Sequence, residues 1–378
     1  MNSKIWLSTP HMSGGEQKYI NEAFETNWIA PLGPNVGNFE VELADYLNIG
    51  YCTALVSGTS AIHLALIILG VEQADEVICQ SFTFSATANP IAYIKAKPIF
   101  VDSESETWNM DPDLLEAAVK DRISKGKKPK AILFVHLYGM PAKINEILYV
   151  AAKYDIPVIE DAAEAMGSRY KDKFCGTFGI MGILSFNGNK IITTSGGGAL
   201  VSDNQEFIKK AHFLSTQARD NAPHYQHSHI GYNYRMSNIV AGIGRGQLEV
   251  LNERIEQRRE NNRFYRDLLK DYKGITFLTE PEDSRSNYWL TTILVDPDLT
   301  NGLNREDIRL GLEKENIECR PLWKPMHIQP VFRDAPAYTN GFSEFAFEHG
   351  ICLPSGSNLT FEEKQRISDS LLQILQNK

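Results

Sequence analysis

The sequence predicts an α/β protein with a mostly parallel sheet, because short apolar runs alternate with longer helical patterns between residues 50 and 205. Near-continuous apolar runs of this length are typical of strands buried on both faces of a sheet. Strands that alternate with helices favour parallel pairing. We expect a seven-stranded sheet, with strands at residues 53–56, 77–79, 98–101, 131–135, 157–160, 182–186 and 199–202.

Helical patterns occupy the intervals between these strands. We expect helices at residues 60–69, 112–120 and 144–153, the second with Asp111 as N-cap and Pro112 at its first position. Residues 238–271 read as one long helix, rich in Arg, Glu and Gln on one side. A smaller α+β unit is expected beyond it, with strands at 288–295 and 351–353 and helices at 305–315 and 361–375. We therefore expect a large domain over residues 1–250 and a small one over 251–378.

Composition limits the class of protein. The 378 residues suffice for a large core, and 43% hydrophobic with 22% charged residues is ordinary for a globular protein. A net charge of −9 disfavours a nucleic-acid partner. No apolar run is long enough to span a membrane, and residues 1–10 lack a signal-peptide core, so the cytoplasm is the expected compartment. The five cysteines form no CxxC pair and indicate reduced, mostly buried thiols.

Lys190 carries the strongest chemical signal. It follows the apolar run 181–186 and precedes a turn rich in Thr, Ser and Gly, while the apolar strand upstream ends in Glu160 and Asp161. A pyridoxal phosphate (PLP) site needs a lysine that forms a Schiff base and a carboxylate that keeps the pyridine nitrogen protonated. The alternative is that Asp161 only caps a following helix. Glu160, one residue earlier, is expected to point to the opposite face of the strand.

A small-residue turn between a strand and a helix indicates an anion site. Ser57, Gly58, Thr59 and Ser60 lead into the apolar helix, whose free N–H groups and dipole favour a phosphate. The alternative is an ordinary helix start with Thr59 or Ser60 as N-cap. Phe84 also follows a strand and could stack on a pyridine ring, or it could be an ordinary core residue.

Two further patterns resemble parts of known binding sites, a metal site and a dinucleotide-binding turn, but each lacks residues that such a site needs. His224, His227 and His229 have a spacing suited to a metal, but no Cys or carboxylate accompanies them in what looks like an irregular loop, so we expect no metal site. The glycines at 196–198 enter a strand and not a helix, which indicates a tight turn. A nicotinamide oxidoreductase would need a glycine-rich turn from strand to helix, and that fingerprint is missing.

Several motifs together resemble the DegT/StrS family of PLP-dependent nucleotide-sugar aminotransferases, from about residue 27 to the C-terminus. They are SGTSAIHL at 57–64, EDAA at 160–163, Ser185-Phe186 with Lys190 five residues after Ser185, GYNYRMS at 231–237 and KPMH at 324–327. The resemblance implies the aspartate-aminotransferase-like fold, fold type I. Residues 27–34 and 185–198 look most similar to the 4-aminotransferases that act on UDP-4-keto-6-deoxy-N-acetylglucosamine on the route to bacillosamine.

The resemblance also implies roles for single residues. Lys190 would carry the cofactor and Asp161 would pair with its ring nitrogen. Phe84 would stack on the ring, and Glu164 stands where many family members carry Gln or His near the ring oxygen. The phosphate would be bound by Thr59, Ser60 and Ser185 at a turn shaped by Gly58, and by Asn233 of a partner subunit. A homodimer with shared active sites is therefore expected.

For the substrates the resemblance implies L-glutamate as amino donor and a nucleotide-linked keto sugar as acceptor. Trp28, Pro31 and His327 look like sugar-site residues. Arg219, Arg235 and Lys324 are candidate cations for the diphosphate, although each could equally be a surface or structural ion pair.

The expected reaction aminates a UDP-linked 4-keto-6-deoxy-N-acetylhexosamine by ping-pong kinetics, with pyridoxamine phosphate carrying the amino group between the two halves. The product would be a UDP-4-amino-4,6-dideoxy sugar for a surface glycan or glycoprotein. Alternatives are a GDP- or dTDP-keto-sugar 3- or 4-aminotransferase and a non-catalytic regulator with the same fold. One relative with histidine in place of the lysine performs dehydration, and Lys190 argues against that chemistry.

Overall fold

The computed structural model describes residues 3–376. Its fifteen described strands belong to three sheets of eight, four and three strands. In chain order the strands are β1 (Tyr51–Leu55), β2 (Glu76–Gln80), β3 (Lys97–Val101), β4 (Ala131–Val135), β5 (Val158–Asp161), β6 (Arg169–Tyr170), β7 (Lys173–Phe174), β8 (Met181–Ser185), β9 (Gly198–Ser202), β10 (Ile275–Phe277), β11 (Ser284–Arg285), β12 (Thr291–Val295), β13 (Arg320–Pro321), β14 (Ala337–Tyr338) and β15 (Gly350–Leu353).

The α-helices within residues 3–376 number twelve, and short 3₁₀ turns lie at Leu137–Gly139 and Met326–Ile328. In chain order the helices are α1 (Glu16–Glu25), α2 (Pro34–Leu47), α3 (Gly58–Ile68), α4 (Ser85–Tyr93), α5 (Pro112–Ser124), α6 (Ile144–Lys153), α7 (Gln205–Ser215), α8 (Asn238–Leu248), α9 (Leu251–Leu269), α10 (Arg305–Lys314), α11 (Phe342–His349) and α12 (Phe361–Gln376).

The large sheet has the order β1-β9-β8-β5-β4-β2-β3-β14. All seven predicted strands belong to it, and the central pairs β8-β5, β5-β4, β4-β2 and β2-β3 are parallel. Only the β9 pairings with β1 and β8 are antiparallel in this sheet. The eighth strand, β14, is a two-residue addition from the C-terminal part of the chain, and a segment this short has no periodic pattern that would predict a strand.

The sheet is buried on both faces, as its apolar strands predict. Successive side chains of a strand point to opposite faces, so Ile132 and Phe134 of β4 enter one core cluster while Ala131 and Leu133 enter the other. Helices cover both clusters. All five cysteines are unpaired thiols, four of them buried.

The predicted single helix over residues 238–271 is wrong. The chain forms α8 and α9 instead, separated at Glu249 and Val250. Val250 has φ −110° and ψ 5°, outside the helical region, and its N–H bonds to the Gln247 carbonyl three residues back. Because the polar surface pattern continues across the break, the sequence could not mark it.

The two helices differ in what they pack against. Helix α8 lies against α1 and α2, whereas α9 begins on the core of the large sheet with Leu251 and Ile255 and ends with Tyr265 and Leu269 in a core cluster shared with β12, β15 and α12. This change of partners supports our proposal of a domain boundary near residue 250. The predicted strand at 288–295 is shorter, because Tyr288 has a left-handed φ of 46° that ends the extended chain; β12 therefore begins at Thr291.

In the part of the chain that the structure describes, no helix is both long and apolar enough to cross a membrane.

Candidate functional site

A cavity of about 330 Å³ lies where several strands of the large sheet end. Ligand sites of open α/β sheets lie at the carboxyl ends of the strands. Here β1, β4, β5 and β8 deliver side chains from four separate segments, and two tryptophans from the C-terminal part of the chain complete the wall. Of the predicted residues, the cavity is lined by Gly58, Thr59, Phe84, Asp161, Glu164, Ser185 and Lys190.

Asp161 ends β5 and is buried, with its carboxylate at the cavity. Thr87 Oγ1 donates to its Oδ2 at 2.7 Å, and the Ala163 N–H donates to its Oδ1 at 3.1 Å. Burial raises the pKa of Asp161, and these two hydrogen bonds and the charge of Lys190 oppose that rise. A buried carboxylate with so few donors can still accept a hydrogen bond from a cationic ring nitrogen.

Glu160, one residue earlier, points away from the cavity. It accepts hydrogen bonds from His136 Nε2 at 3.0 Å and from the backbone N–H of Gly176 at 2.8 Å and of Phe178. Glu160 therefore holds the loop before β8 in place. Its side chain and that of Asp161 point to opposite faces of the strand, as the sequence predicts.

Lys190 lies on the loop that follows β8, and its ammonium faces two groups. Nζ is 3.5 Å from Oε1 of Glu164 and 4.1 Å from the centroid of the Trp289 ring. Glu164 is buried, and its Oε2 accepts the backbone N–H of Tyr138 at 2.7 Å. Burial raises the pKa of Glu164, while the Lys190 charge and the Tyr138 N–H oppose the rise. The contacts of Glu164, which the sequence left open, are thus to Lys190 and Tyr138.

The turn before α3 forms one end of the cavity. Ser57 is the N-cap of α3, and neither Thr59 nor Ser60 takes that position. Ser57 Oγ accepts the Ser60 N–H at 3.0 Å, and Ser60 Oγ donates to the Ser57 carbonyl at 2.7 Å. Ser60 therefore shapes the turn and does not line the cavity, while Thr59 does. The first N–H groups of the helix have no acceptor within it and are available to an anion.

The glycines at 196–198 have a role that the sequence analysis did not assign. Gly196 and Gly197 line the cavity, and Gly198 begins β9. A Cβ at Gly198 would lie 2.3 Å from the backbone nitrogen of Gly58, so this position leaves no room for any side chain. The strand that follows the Lys190 loop thus packs directly against the anion turn.

Aromatic rings form the remaining wall. Phe84 is half exposed at the cavity, with its ring centroid 5.2 Å from that of Trp323. Tyr138 stacks between Trp289 at 6.4 Å and Trp323 at 6.1 Å, both at 18° between planes. The two tryptophans were missed from the sequence because they lie far along the chain from Lys190, and a lone Trp carries no local signal.

The predicted substrate residues lie outside the cavity. Trp28 and Pro31 are exposed on the segment before α2, and Arg219 is exposed with its guanidinium 4.3 Å above the Tyr225 ring. Lys324 is exposed. His327 is held near the Phe84 segment, because its Nδ1 lies 2.6 Å from Ser81 Oγ and its Nε2 3.1 Å from Glu344 Oε1.

Two other predicted residues have different surroundings. Arg235 is buried and its guanidinium is paired with Glu40, so it is a structural ion pair and not a cation open to a diphosphate. Asn233 is exposed beside a backbone bridge to Thr216 and does not line the cavity of its own chain.

The histidines of the 220–230 loop have separate partners: His224 contacts Gln226, His227 the Gln217 carbonyl and His229 the Phe213 ring. A search of residues 3–376 finds no cluster of three or more potential metal ligands.

The residues at the cavity fit PLP by their chemistry. A primary amine and a buried carboxylate stand at one cavity with a helix N-terminus for a phosphate and an exposed aromatic ring for the pyridine. The cavity volume is in the range of small-molecule sites.

Comparison with known proteins agrees with this chemistry. The model of the DegT/DnrJ/EryC1/StrS aminotransferase family matches residues 10–372. The chain is 54% identical to EpsN of Bacillus subtilis, whose assigned name is that of a pyridoxal phosphate-dependent aminotransferase, over 99% of this chain and 96% of that protein. It is 36% identical to the GDP-perosamine synthase of Escherichia coli O157:H7, over 98% of each chain.

A solved structure has the same fold. A DegT/DnrJ/EryC1/StrS aminotransferase from Brucella abortus superposes with a TM-score of 0.88 at 28% identity, over 95% of each chain.

Proposed function

This chain belongs to the DegT/DnrJ/EryC1/StrS aminotransferase family, and from that premise we propose that it aminates C4 of a UDP-linked 4-keto-6-deoxy-N-acetylhexosamine with L-glutamate as donor. The family is PLP-dependent, and its members include sugar aminotransferases. The observation that carries the proposal is that Lys190 and Asp161, from the ends of neighbouring strands, line one cavity with an open helix N-terminus.

Lys190 would hold the cofactor, and the Asp161 carboxylate would accept a hydrogen bond from the protonated nitrogen of its ring. The buried position of Asp161 favours this, because a charged ring nitrogen would offset the cost of the buried carboxylate. When bound, PLP supplies the aldehyde and the electron-accepting ring through which an amino group is transferred. Phe84 would cover one face of that ring, and Glu164 would stand beside Lys190.

The phosphate end is proposed at the start of α3. Thr59 would donate its hydroxyl and Gly58 its backbone N–H, and Ser185 at the end of β8 would add a second hydroxyl. Ser57 also lines the cavity there, which the sequence did not predict. Ser60 would act through the turn, since its hydroxyl is bonded to Ser57.

In the reaction, Lys190 would act as the acid and base. Its amine would take a proton from the α-carbon of glutamate and deliver it to C4′ of the cofactor, then run the same transfer in reverse for the keto sugar. A site of small volume with a mostly apolar aromatic wall would keep water from that proton. Glu164, 3.5 Å from the amine, would hold the ammonium form between transfers.

We propose a homodimer in which Asn233 reaches the phosphate of the partner subunit's cofactor. Asn233 is exposed and lies outside its own cavity, which supports a role across an interface. The segment before α2 exposes Trp28, Ile29 and Leu32, the last at 66%, and contiguous exposed apolar side chains are typical of interfaces.

The diphosphate of the substrate needs cations in a chain of net charge −9. We propose Arg219 and Lys324, because both are exposed and, within residues 3–376, neither pairs with a carboxylate within 4 Å. Trp28, Pro31 and His327 are proposed as sugar contacts. His327 is the best placed of these, since it bonds to the segment that carries Phe84.

A GDP-linked keto sugar is the second candidate acceptor. The 36% identity to a GDP-perosamine synthase over 98% of each chain favours it. The proposed cofactor residues do not discriminate between the two acceptors, because their proposed contacts are with the cofactor and not with the nucleotide.

A substrate panel tests both candidates. The purified protein with PLP and L-glutamate would be given UDP- and GDP-linked 4-keto and 3-keto sugars, and product mass and proton couplings would be read. Amination at C4 of the UDP-linked N-acetyl sugar supports the first candidate, and the couplings fix the orientation of the amine. Turnover of a GDP-linked sugar alone would reject the UDP specificity and keep the aminotransferase chemistry.

A further inference from the structure

The free amine of Lys190 has a defined resting place. Its Nζ lies 4.1 Å from the centroid of the Trp289 ring and 3.5 Å from Glu164 Oε1. An aromatic face and a carboxylate both favour a cation over a neutral amine, and both act more strongly when shielded from water. The Lys190 side chain is 11% exposed. The geometry therefore suits an ammonium held between two groups.

Trp289 also holds the backbone that carries Lys190. Its indole Nε1–H donates to the carbonyl of Asn189 at 2.8 Å, and Ser8 Oγ donates to the same carbonyl at 2.8 Å. The carbonyl of Trp289 in turn accepts from Nη1 of the buried Arg258 at 2.5 Å. The ring is therefore fixed on one side to the buried core and on the other to the loop of Lys190.

Asn287 ties the two groups that flank the amine to each other. Its Oδ1 accepts the Trp289 N–H at 2.8 Å, and its Nδ2 donates to the carbonyl of Glu164 at 2.9 Å. Gly139 makes room for it, since a Cβ at that position would lie 1.8 Å from Asn287 Oδ1. The separation between the ring and the carboxylate is thus set by packed, hydrogen-bonded groups.

We propose that Trp289 is a positioning residue for Lys190: its ring and Glu164 hold the ammonium while the amine is not bonded to the cofactor, and its N–H fixes the loop. This inference rests on the proposed function, in which Lys190 carries the cofactor. A lysine that leaves the cofactor must return to the same place in each half-reaction, and misplacement by about 1 Å can cost roughly 100-fold in rate.

The other charged groups around Lys190 are few. Asp161 acts on it through space, and Arg258 Nη2 lies 3.5 Å from the Lys190 carbonyl. Within residues 3–376, neither group lies at hydrogen-bond distance from Nζ. Removing Glu164 or the Trp289 ring should therefore change how strongly the ammonium form of Lys190 is stabilised.

The rate at which apoenzyme takes up PLP tests the proposal. Only the neutral amine adds to the aldehyde, forming the C–N bond with loss of water, so at a fixed pH the rate is lower the more firmly the ammonium is held. Stopped-flow absorbance would compare wild type with W289L, W289F, E164Q and W108F. Trp108 is a buried tryptophan of the same core cluster as Trp289, but it does not line the cavity and its ring packs against Phe342, so it serves as the matched control.

At neutral pH, W289L and E164Q should take up PLP about three- to tenfold faster than the wild type, because each lacks one of the two groups that stabilise the ammonium. W289F keeps a ring face but loses the N–H, so its uptake rate should stay near that of the wild type while kcat falls several-fold at unchanged KM for glutamate. W108F should change neither quantity.

A W289L uptake rate equal to that of the wild type would overturn the proposal, as would a W289F enzyme with unchanged kcat. If W289L does not fold, E164Q and W289F still decide. Borohydride reduction of the same samples, followed by peptide mapping, locates the PLP-bearing lysine. A label on another lysine rejects the proposed function as well, whereas a label on Lys190 with unchanged uptake rates rejects this inference alone.

Discussion

The hydroxyl of Thr87, on helix α4, donates a 2.7 Å hydrogen bond to Oδ2 of Asp161 at the end of strand β5. Thr83 Oγ1 lies 2.8 Å from the same hydroxyl, so three side chains form one buried chain. The bond lowers the pKa of Asp161, against the larger effect of burial, which raises it. Thr87 therefore helps to keep a carboxylate charged where the proposed cofactor needs it.

Replacing Thr87 by Val should weaken PLP binding by about 10- to 100-fold, because a hydrogen bond to a charged group contributes roughly 1.5–3 kcal/mol. Equilibrium dialysis or fluorescence quenching measures the affinity. T87S keeps the hydroxyl and is expected to bind within about threefold of the wild type. Equal affinities for T87V and the wild type would argue that Asp161 does not contact the cofactor.

Replacing Asp161 by Asn should lower turnover and raise the free energy of unfolding of the apoenzyme. Burial raises the pKa of Asp161 above its ordinary value of 3.8, so the folded chain binds the proton more tightly than the unfolded chain does. Stability is therefore lost as pH rises from about 3.8 through the higher pKa that Asp161 has in the folded chain. The Asn variant does not carry this penalty.

Differential scanning fluorimetry of the apoenzyme should show a higher Tm for D161N than for the wild type at pH 7, with the difference shrinking toward pH 4. Turnover should fall by about 100-fold or more, the usual effect of removing one preorganised charge. A Tm difference that is constant from pH 4 to 7 would contradict the proposed origin of the effect.

Lys190→Ala should abolish turnover, because no other amine of the described cavity lining can hold the cofactor or move the proton. The variant should also lack the visible absorbance of lysine-bound PLP. Activity is measured with L-glutamate and the acceptor that the substrate panel identifies. Amination at a near wild-type rate would reject the assignment of Lys190.

Arg235 and Arg219 should respond differently to substitution. Arg235 is buried against Glu40, and breaking a buried ion pair costs about 3–5 kcal/mol, so R235M should lower Tm by several degrees with little change in KM. Arg219 is exposed, so R219M should raise KM for the nucleotide sugar and leave Tm near the wild type. The opposite pattern would exchange the two roles.

Mixing subunits tests the shared active site. In a heterodimer of Lys190→Ala and Asn233→Ala chains, one site combines the intact Lys190 of one chain with the intact Asn233 of the other. At limiting PLP, two weak variants should regain activity on mixing, up to about half that of the wild type in the heterodimer. No gain on mixing would place Asn233 outside the partner's site.

Much of the large sheet could be predicted from the sequence. Strands such as β4 are apolar throughout, and such a strand is buried on both faces only in the interior of a sheet covered by helices. The position of Lys190 and Asp161 at one cavity could be predicted, because Asp161 ends such a strand and Lys190 follows another, while their roles at a cofactor stay predictions. The α8–α9 break could not, since Glu249 and Val250 lie in a run of helix-forming residues. The break is visible only in the backbone, where Val250 with φ −110° and ψ 5° lies outside the helical region.

The wall of the cavity was also beyond the sequence. Trp289 follows Asn189 by 100 residues, and its place depends on the left-handed turn at Tyr288 and on the packing of Asn287 against Gly139. Neither the turn at Tyr288 nor the packing of Asn287 can be predicted from the residues next to them in the sequence. Glu164 was noticed only as a departure from a family pattern, and its contact with Lys190 became visible once two separate loops were brought together.

The two-residue strand β14 determines whether a C-terminally truncated fragment of the protein would stay monodisperse. Without it, β3 would present unpaired N–H and C=O groups along its free side, and such an edge is a template for association with other chains. The Phe100 and Asp102 N–H groups instead bond to the carbonyls of Pro336 and Tyr338. A fragment ending near residue 250 would keep Lys190, Asp161 and the anion turn but would lose this cover together with Trp289 and Trp323, so it should aggregate where the full chain does not.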